Sequence, residues 1–177
     1  MTQDIKVTGL ADLQKFLDTL PAKMEANILR AALRAGAKPM LESAKQNVPV
    51  GEPNEKNKKL YGGYTGALRD SLRISGRINK TKGNVTVSVK AGGKNKKTGA
   101  DTFYAHMVEF GTRPHSVSKK GKGDPTHPGT NPRPFMRPAL DGNATAAVLA
   151  TGEYIKKRLS QKNGLDTADI DIGIDLE

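Results

Sequence analysis

Cysteine and tryptophan are missing from the 177 residues, and aromatics are few, with four Phe and four Tyr. Without cysteine there is no zinc ribbon, thiol nucleophile, Cys-ligated iron–sulfur cluster or disulfide framework. No run of about 18 apolar residues is present to read as a membrane span. The opening MTQDIKVTGL lacks the basic-then-apolar pattern of a secretion signal. Large apolar residues are also scarce: Leu, Ile, Val and Phe together number 36, whereas Ala alone supplies 18. At roughly 100–200 residues per domain the length fits one domain. A core this thin implies polar loops that order on a partner, and partner subunits are the usual remedy.

Carboxylates run short as well, with 18 Asp+Glu against 29 Lys+Arg. The charge is uneven. Leu165–Glu177 carries five acids and no base, a net −5, which leaves +16 on residues 1–164. Lys56 to Lys122 is a basic centre of net +13. Such a field suits phosphate or an acidic protein face, and charge alone does not separate the two. Candidate contacts are Lys56, Lys58, Lys59, Lys94, Lys96, Lys97, Lys119, Lys120 and Lys122.

The pattern predicts an α+β fold: a small antiparallel sheet packed against a kinked N-terminal helix and a C-terminal helix, with long basic loops. Ile5–Gly9 reads as a strand, and Leu10, Leu13, Leu17 and Leu20 recur at helical spacing. A second helical stripe runs from Pro21 toward Pro49, with a kink or break expected near Ala35–Lys38 because Pro39 lacks a backbone donor. Thr65 is placed to cap a short turn through Arg69. Leu72, Ile74, Gly76 and Ile78, then Val85, Val87 and Val89, alternate as the strands of a hairpin. Phe103, Tyr104, Met107, Val108 and Phe110 form the densest apolar cluster and are expected in the core. Gly111–Pro134 reads as a long functional or disordered loop. One final helix is expected over Pro138–Gln161, stopped at Asn163-Gly164. The tail after it, residues 165–177, alternates acid with Ile and reads as flexible or as a strand pairing with a neighbour's sheet edge.

Chemistry finds little support. His106 is expected partly buried with ordinary hydrogen bonds, and His115 and His127 fall in a Pro/Gly loop that lacks the rigidity and spacing of a metal site. No nucleophile elbow, Walker loop or dinucleotide fingerprint occurs. Glu109 has no carboxylate partner for acid–base work, and as a partly buried acid it needs hydrogen-bond donors or a cation such as Arg69, Arg73 or Arg113. No catalytic, cofactor or metal residue is assigned. Tyr61 and Tyr64 are the only loop aromatics for base stacking, so any DNA contact is expected to be with the backbone, without sequence preference.

Three ordered segments carry a resemblance: YTGALRDSLRI (Tyr64–Ile74), after an Ala-rich helix ending in NVPV (Asn47–Val50); FYAHMVEFGT (Phe103–Thr112); and HPGTNPRPFMRPAL (His127–Leu140). Over about residues 5–160 the chain resembles the neck and tail-completion (head–tail joining) proteins of long-tailed phages. The motif falls on Thr65, Gly66, Leu68, Arg69, Ser71, Tyr104, Ala105, Glu109, Gly111, Thr112, Pro134, Phe135, Pro138 and Ala139, in structural or interface roles. The resemblance implies a non-enzymatic virion component that forms a homo-oligomeric ring, of six or twelve copies, around the DNA channel. Its implied neighbours are head-completion or portal-side proteins and tail terminator or tail tube proteins, with no membrane partner. The implied location is the neck or tail top of the virion, reached from the host cytoplasm during assembly. The chain departs from the pattern in its loops at 51–63, 92–101 and 113–131 and in its acidic tail. The alternative is a sequence-independent DNA-binding protein. An enzyme acting on an acidic polymer would need an acid–base pair that the sequence does not offer.

Overall fold

The computed structural model describes residues 5–18, 22–51, 65–79, 81, 83–94, 101–116, 126–163, 172 and 174–176. In order these form β1 (Ile5–Val7), α1 (Leu10–Asp18), α2 (Ala22–Asn47), α3 (Ala67–Ser71), β2 (Arg73–Asn79), β3 (Asn84–Lys90), α4 (Ala105–Phe110), β4 (His115–Ser116), β5 (Thr126–His127), α5 (Met136–Asp141), α6 (Ala144–Asn163) and β6 (Ile174–Leu176). The fold is α+β, with long helices near both ends and three small two-stranded sheets, β1–β6, β2–β3 and β4–β5. Contacts divide the chain into a terminal unit (Met1–Glu42, Ile74–Val89, Leu140–Glu177) and a central unit (Ser43–Arg73, Lys90–Ala139).

The terminal unit is built on the leucine stripe. Leu13 and Leu17 of α1, Ile28 and Ala32 of α2, and Ile155 and Leu159 of α6 form one buried cluster, with Leu29, Tyr154 and Ile172 packed against it. Those α1 and α2 positions are spaced four apart on one face of each helix, which is why the periodicity was readable. The β2–β3 hairpin lies on α2: Arg34 donates to the Ile74 carbonyl at 3.2 Å. Its alternating Ile and Val positions are half-buried, whereas Arg73, Arg77 and Asn79 are exposed.

Three expectations are corrected. Helix α2 runs uninterrupted through Pro39, so of the kink or break expected there, the break is absent. Proline removes one hydrogen bond, a cost that packing of the rest of a 26-residue helix outweighs. Conversely, the single C-terminal helix is two, α5 and α6, parted at Gly142-Asn143, where glycine is a poor helix former. Finally, β6 of the acidic tail pairs antiparallel with β1 of the same chain, Ile5 opposite Leu176 and Val7 opposite Ile174, where the sequence reads as flexible or as pairing with a neighbour's edge. Residues 164–171 lie outside the described residues.

Helices α2 and α6 meet at backbone distance around Gly36. A Cβ there would collide with Thr151 Oγ1 and would lie 2.5 Å from the Ala147 carbonyl oxygen. In an open helix Gly→Ala gains about 1 kcal/mol; at a contact this tight, overpacking costs about 1–3 kcal/mol. The clash decides the sign, because one of the atoms in the way is backbone. Gly36→Ala is therefore expected to lower Tm by about 2–6 °C, measured by thermal unfolding; a rise in Tm would show that the helices separate freely.

Candidate functional site

Apart from the end residues Ile74 and Leu140, the three motif segments belong to the central unit, and backbone-directed bonds fix each of them. Motif residues Leu68 and Ser71 are buried, and Arg69 is exposed. Helix α3 is capped by Gly66 in the left-handed conformation (φ 89°) with no side-chain bond, so the expected Thr65 cap gives way to a glycine that needs no side chain there. Ser71 Oγ donates to the Leu68 carbonyl (2.7 Å) and accepts from the Gly92 N–H (3.0 Å). Arg73 Nη1 donates to the carbonyls of both Ser71 (3.0 Å) and Gly92 (2.6 Å). This clamp ties the end of α3 to the strand exit at Gly92; neither Arg73 nor Gly92 was singled out as a clamp from sequence.

Glu109 holds the second motif to the third. It is 7% exposed. Its Oε2 accepts from the backbone N–H groups of Phe135 (2.8 Å) and Met136 (2.9 Å), and Oε1 accepts from Arg137 (3.1 Å). The start of a helix leaves its first N–H groups without intrahelical partners. Here three go to one carboxylate and the next residue, Pro138, has none to satisfy. Of the partners weighed for Glu109, backbone donors are the ones used. The arrangement also places the acid at the positive end of α5. Phe135, 0% exposed, is buried beside it, as is Ala139, while Pro134 and Pro138 face solvent.

Between these motifs, what read as a long loop is in large part a ribbon. Arg133 N–H donates to the Val108 carbonyl (2.8 Å), and Thr112 and Thr130 exchange both backbone bonds (3.0 and 3.1 Å). In the same register His115 lies opposite His127 and Ser116 opposite Thr126. That register sets Pro114 against Pro128, where the ladder skips because proline has no donor. The two imidazoles stack with centroids 5.0 Å apart and planes 24° from parallel. His115 Nδ1 donates to the Arg113 carbonyl (3.0 Å), and His127 Nδ1 accepts from the Gly129 N–H (3.0 Å), so Nδ1 carries a proton in the first ring and none in the second. Gly111 closes α4 with φ 72°, and a Cβ there would lie 2.5 Å from the Thr130 carbonyl.

The aromatic cluster is the main correction. Ala105 and Glu109 face inward, while Phe103 (64% exposed), Met107 (37%) and Phe110 (78%) are exposed. These three are spaced i, i+4, i+7, one outward stripe through α4 and the turn before it. Tyr104 is half-buried, its ring edge-on to Phe103 at 5.9 Å. His106 is exposed, not partly buried, and its Nδ1 donates to the Phe103 carbonyl (3.0 Å). Beside the stripe an open groove of about 600 Å³ is lined by Pro49, Met107, Val108, Thr112, His115, His127, Thr130, Asn131 and Arg133. Among the described residues it contains an arginine, two imidazoles and no carboxylate.

Of the nine lysines proposed as contacts, only Lys94 falls among the described residues, where it is exposed and its backbone pairs antiparallel with that of Asp101. Lys56, Lys58, Lys59, Lys96, Lys97, Lys119, Lys120 and Lys122 lie outside them, as do Tyr61 and Tyr64. By sequence, the central unit holds 16 Lys/Arg against 6 Asp/Glu, and the terminal unit 13 against 12. Among the described residues no three His, Asp or Glu side chains converge as a metal site, and no helix is long and apolar enough to cross a membrane.

Replacing Glu109 by Gln leaves one carbonyl oxygen for three donors and turns an N–H₂ toward them. At about 1.5–3 kcal/mol per bond to a charged group, Glu109→Gln is expected to cost about 2–4 kcal/mol in denaturant unfolding. Arg69→Ala, which removes only an exposed 3.4 Å pair with Asp70, is expected to cost under about 1 kcal/mol. Equal effects would remove Glu109 from its central position.

Comparison with known proteins gives one family. The family model described as "Bacteriophage HK97-gp10, putative tail-component" matches residues 11–111, more than half of the chain, ending at the glycine that closes α4. The third motif segment lies beyond that match. No curated protein and no solved structure matches significantly. The first two motif segments, the helices and hairpin that precede and join them, and the match across the same span lead to one conclusion: the chain belongs to the HK97-gp10-like family of bacteriophage tail components.

Proposed function

We propose that this tail component works at the head–tail junction, assembling as a ring of identical subunits around the DNA path and joining head to tail without catalysing a reaction. Residues 1–164 would form the ring body. Its neighbours would be head-completion or portal-side proteins on one side and tail terminator or tube proteins on the other, and it would join the virion neck from the host cytoplasm.

One observation carries this reading. The central unit leaves Phe103, Met107 and Phe110 exposed on one stripe while its helix carboxylate is turned inward, and large apolar side chains grouped on a surface mark a protein interface. A thin core is consistent with a subunit that completes its burial against copies of itself. Interface roles for the motif residues follow indirectly, since Glu109, Ser71 and Gly111 hold the segment that displays the stripe.

A phage or prophage in which this gene is interrupted is expected to accumulate filled heads and separate tails, seen by negative-stain microscopy, with joining restored by the protein supplied in trans. Normally joined particles would overturn the reading. The excess of 16 Lys/Arg over 6 Asp/Glu in the central unit favours sequence-independent DNA binding as the second reading. It requires the purified protein to bind duplex DNA of any sequence with an affinity falling linearly in log–log plots against salt.

A further inference from the structure

The terminal unit carries its own unfilled apolar feature. A groove of about 320 Å³ lies where α2, β3 and α6 meet, with Gly36, Met40, Val87, Ala147, Val148 and Thr151 among its walls. Among the described residues, none of those lining it is charged. The one hydroxyl among its described walls, Thr151 Oγ1, donates to the Ala147 carbonyl of its own helix at 2.7 Å, so these walls ask for no polar partner. The volume falls at the lower end of the ~300–1,000 Å³ range of binding pockets, a size for large side chains inserted from outside.

The complementary feature is the stripe on α4. Phe110, at 78% exposed, and Phe103, at 64%, project from the central unit. Charge decides which surface of a second copy can receive them. Two central units face to face would set one 16-to-6 excess of cations against another, whereas the terminal unit, at 13 against 12, is nearly neutral. Like charges across an interface are costly, so the stripe meets the terminal unit of the next copy, not its own counterpart.

We infer that Phe110 and Phe103 of one copy insert into the groove between α2 and α6 of the next, as the apolar anchor of a head-to-tail contact between subunits. The inference rests on the self-assembly proposed above and names the surfaces that carry it. A contact between two different patches repeats from copy to copy and forms a ring where its rotation closes. Two aromatic anchors bury about 150–250 Å² each, too little for a whole interface and enough for its central hot spot.

The absence of native cysteine makes a direct test available. Full-length Phe110→Cys and Val148→Cys variants are purified separately, mixed and mildly oxidised. The expected result is a disulfide-linked dimer in the mixture, at a yield well above that of either variant alone. A Phe110→Cys dimer that forms as readily on its own would indicate two-fold contact between stripes and overturn the inference, as would absence of the mixed dimer. In sedimentation, Phe110→Ala is expected to weaken self-association about 30-fold, with Tm unchanged at dilutions where both proteins are monomeric, because its ring is exposed. If wild-type protein and Phe110→Ala form the same oligomer, and no mixed dimer appears, this contact is wrong while ring assembly stands. If the wild-type protein stays monomeric at every concentration and no mixed dimer forms, both fall. Association only with an acidic virion protein, again without a mixed dimer, assigns the stripe to that partner and overturns the inference.

Discussion

The central unit depends on one carboxylate. Glu109 receives three backbone N–H groups from residues 26–28 positions further along the chain, and that bond set does two things at once. It supplies the missing partners at the start of α5, and it closes the base of the ribbon between Gly111 and Pro134. Closing a long segment carries most of its entropic cost at the first contact, since the cost rises only with the logarithm of length. Once Glu109 and the Val108–Arg133 bond hold the base, the Thr112–Thr130 pair and the His115–His127 stack follow in a fixed register at little further expense. A buried carboxylate is unfavourable unless its acceptors are filled. Here the helix start fills them, so the chain can use an acid where an apolar residue would leave three donors unsatisfied.

The same bond set explains the outward stripe. With Glu109 fixed inward and Ala105 packed one turn before it, the helix cannot rotate, and positions 103, 107 and 110 must face solvent. Apolar density in the sequence says only that these residues prefer to leave water. Six helical residues are too few to show a period, so the stripe was read as core. The direction was legible in one respect: an acid among aromatics had to find donors, and whichever face it took, the aromatics opposite would be turned out.

Elsewhere legibility follows sequence distance. Helices α1 and α2 and the β2–β3 hairpin arise from local periodicity, and Leu10–Asp18 and the hairpin strands emerge within a residue or two of where the pattern placed them. The α+β class follows from those elements. What local pattern cannot carry is pairing between distant segments: the Ser71–Gly92–Arg73 clamp, the ribbon, and β6 on β1. The break at Pro39 is absent for a related reason. Its cost is local and visible, whereas the packing that offsets it, Gly36 against Ala147 and Thr151, joins positions more than a hundred residues apart.

Charge and apolar surface then act together. A protein displaying two phenylalanines and an apolar groove would ordinarily self-associate without order, yet this chain carries a net +11. Repulsion between like-charged copies opposes random contact, and because the excess sits almost wholly in the central unit, the opposition is greatest for central units meeting each other. Screening over about 8 Å at physiological ionic strength weakens that long-range repulsion but leaves short-range apolar insertion intact. In the proposed assembly the cations would therefore select among orientations, and subunits would be directed by what the charge forbids as much as by what the aromatic side chains favour.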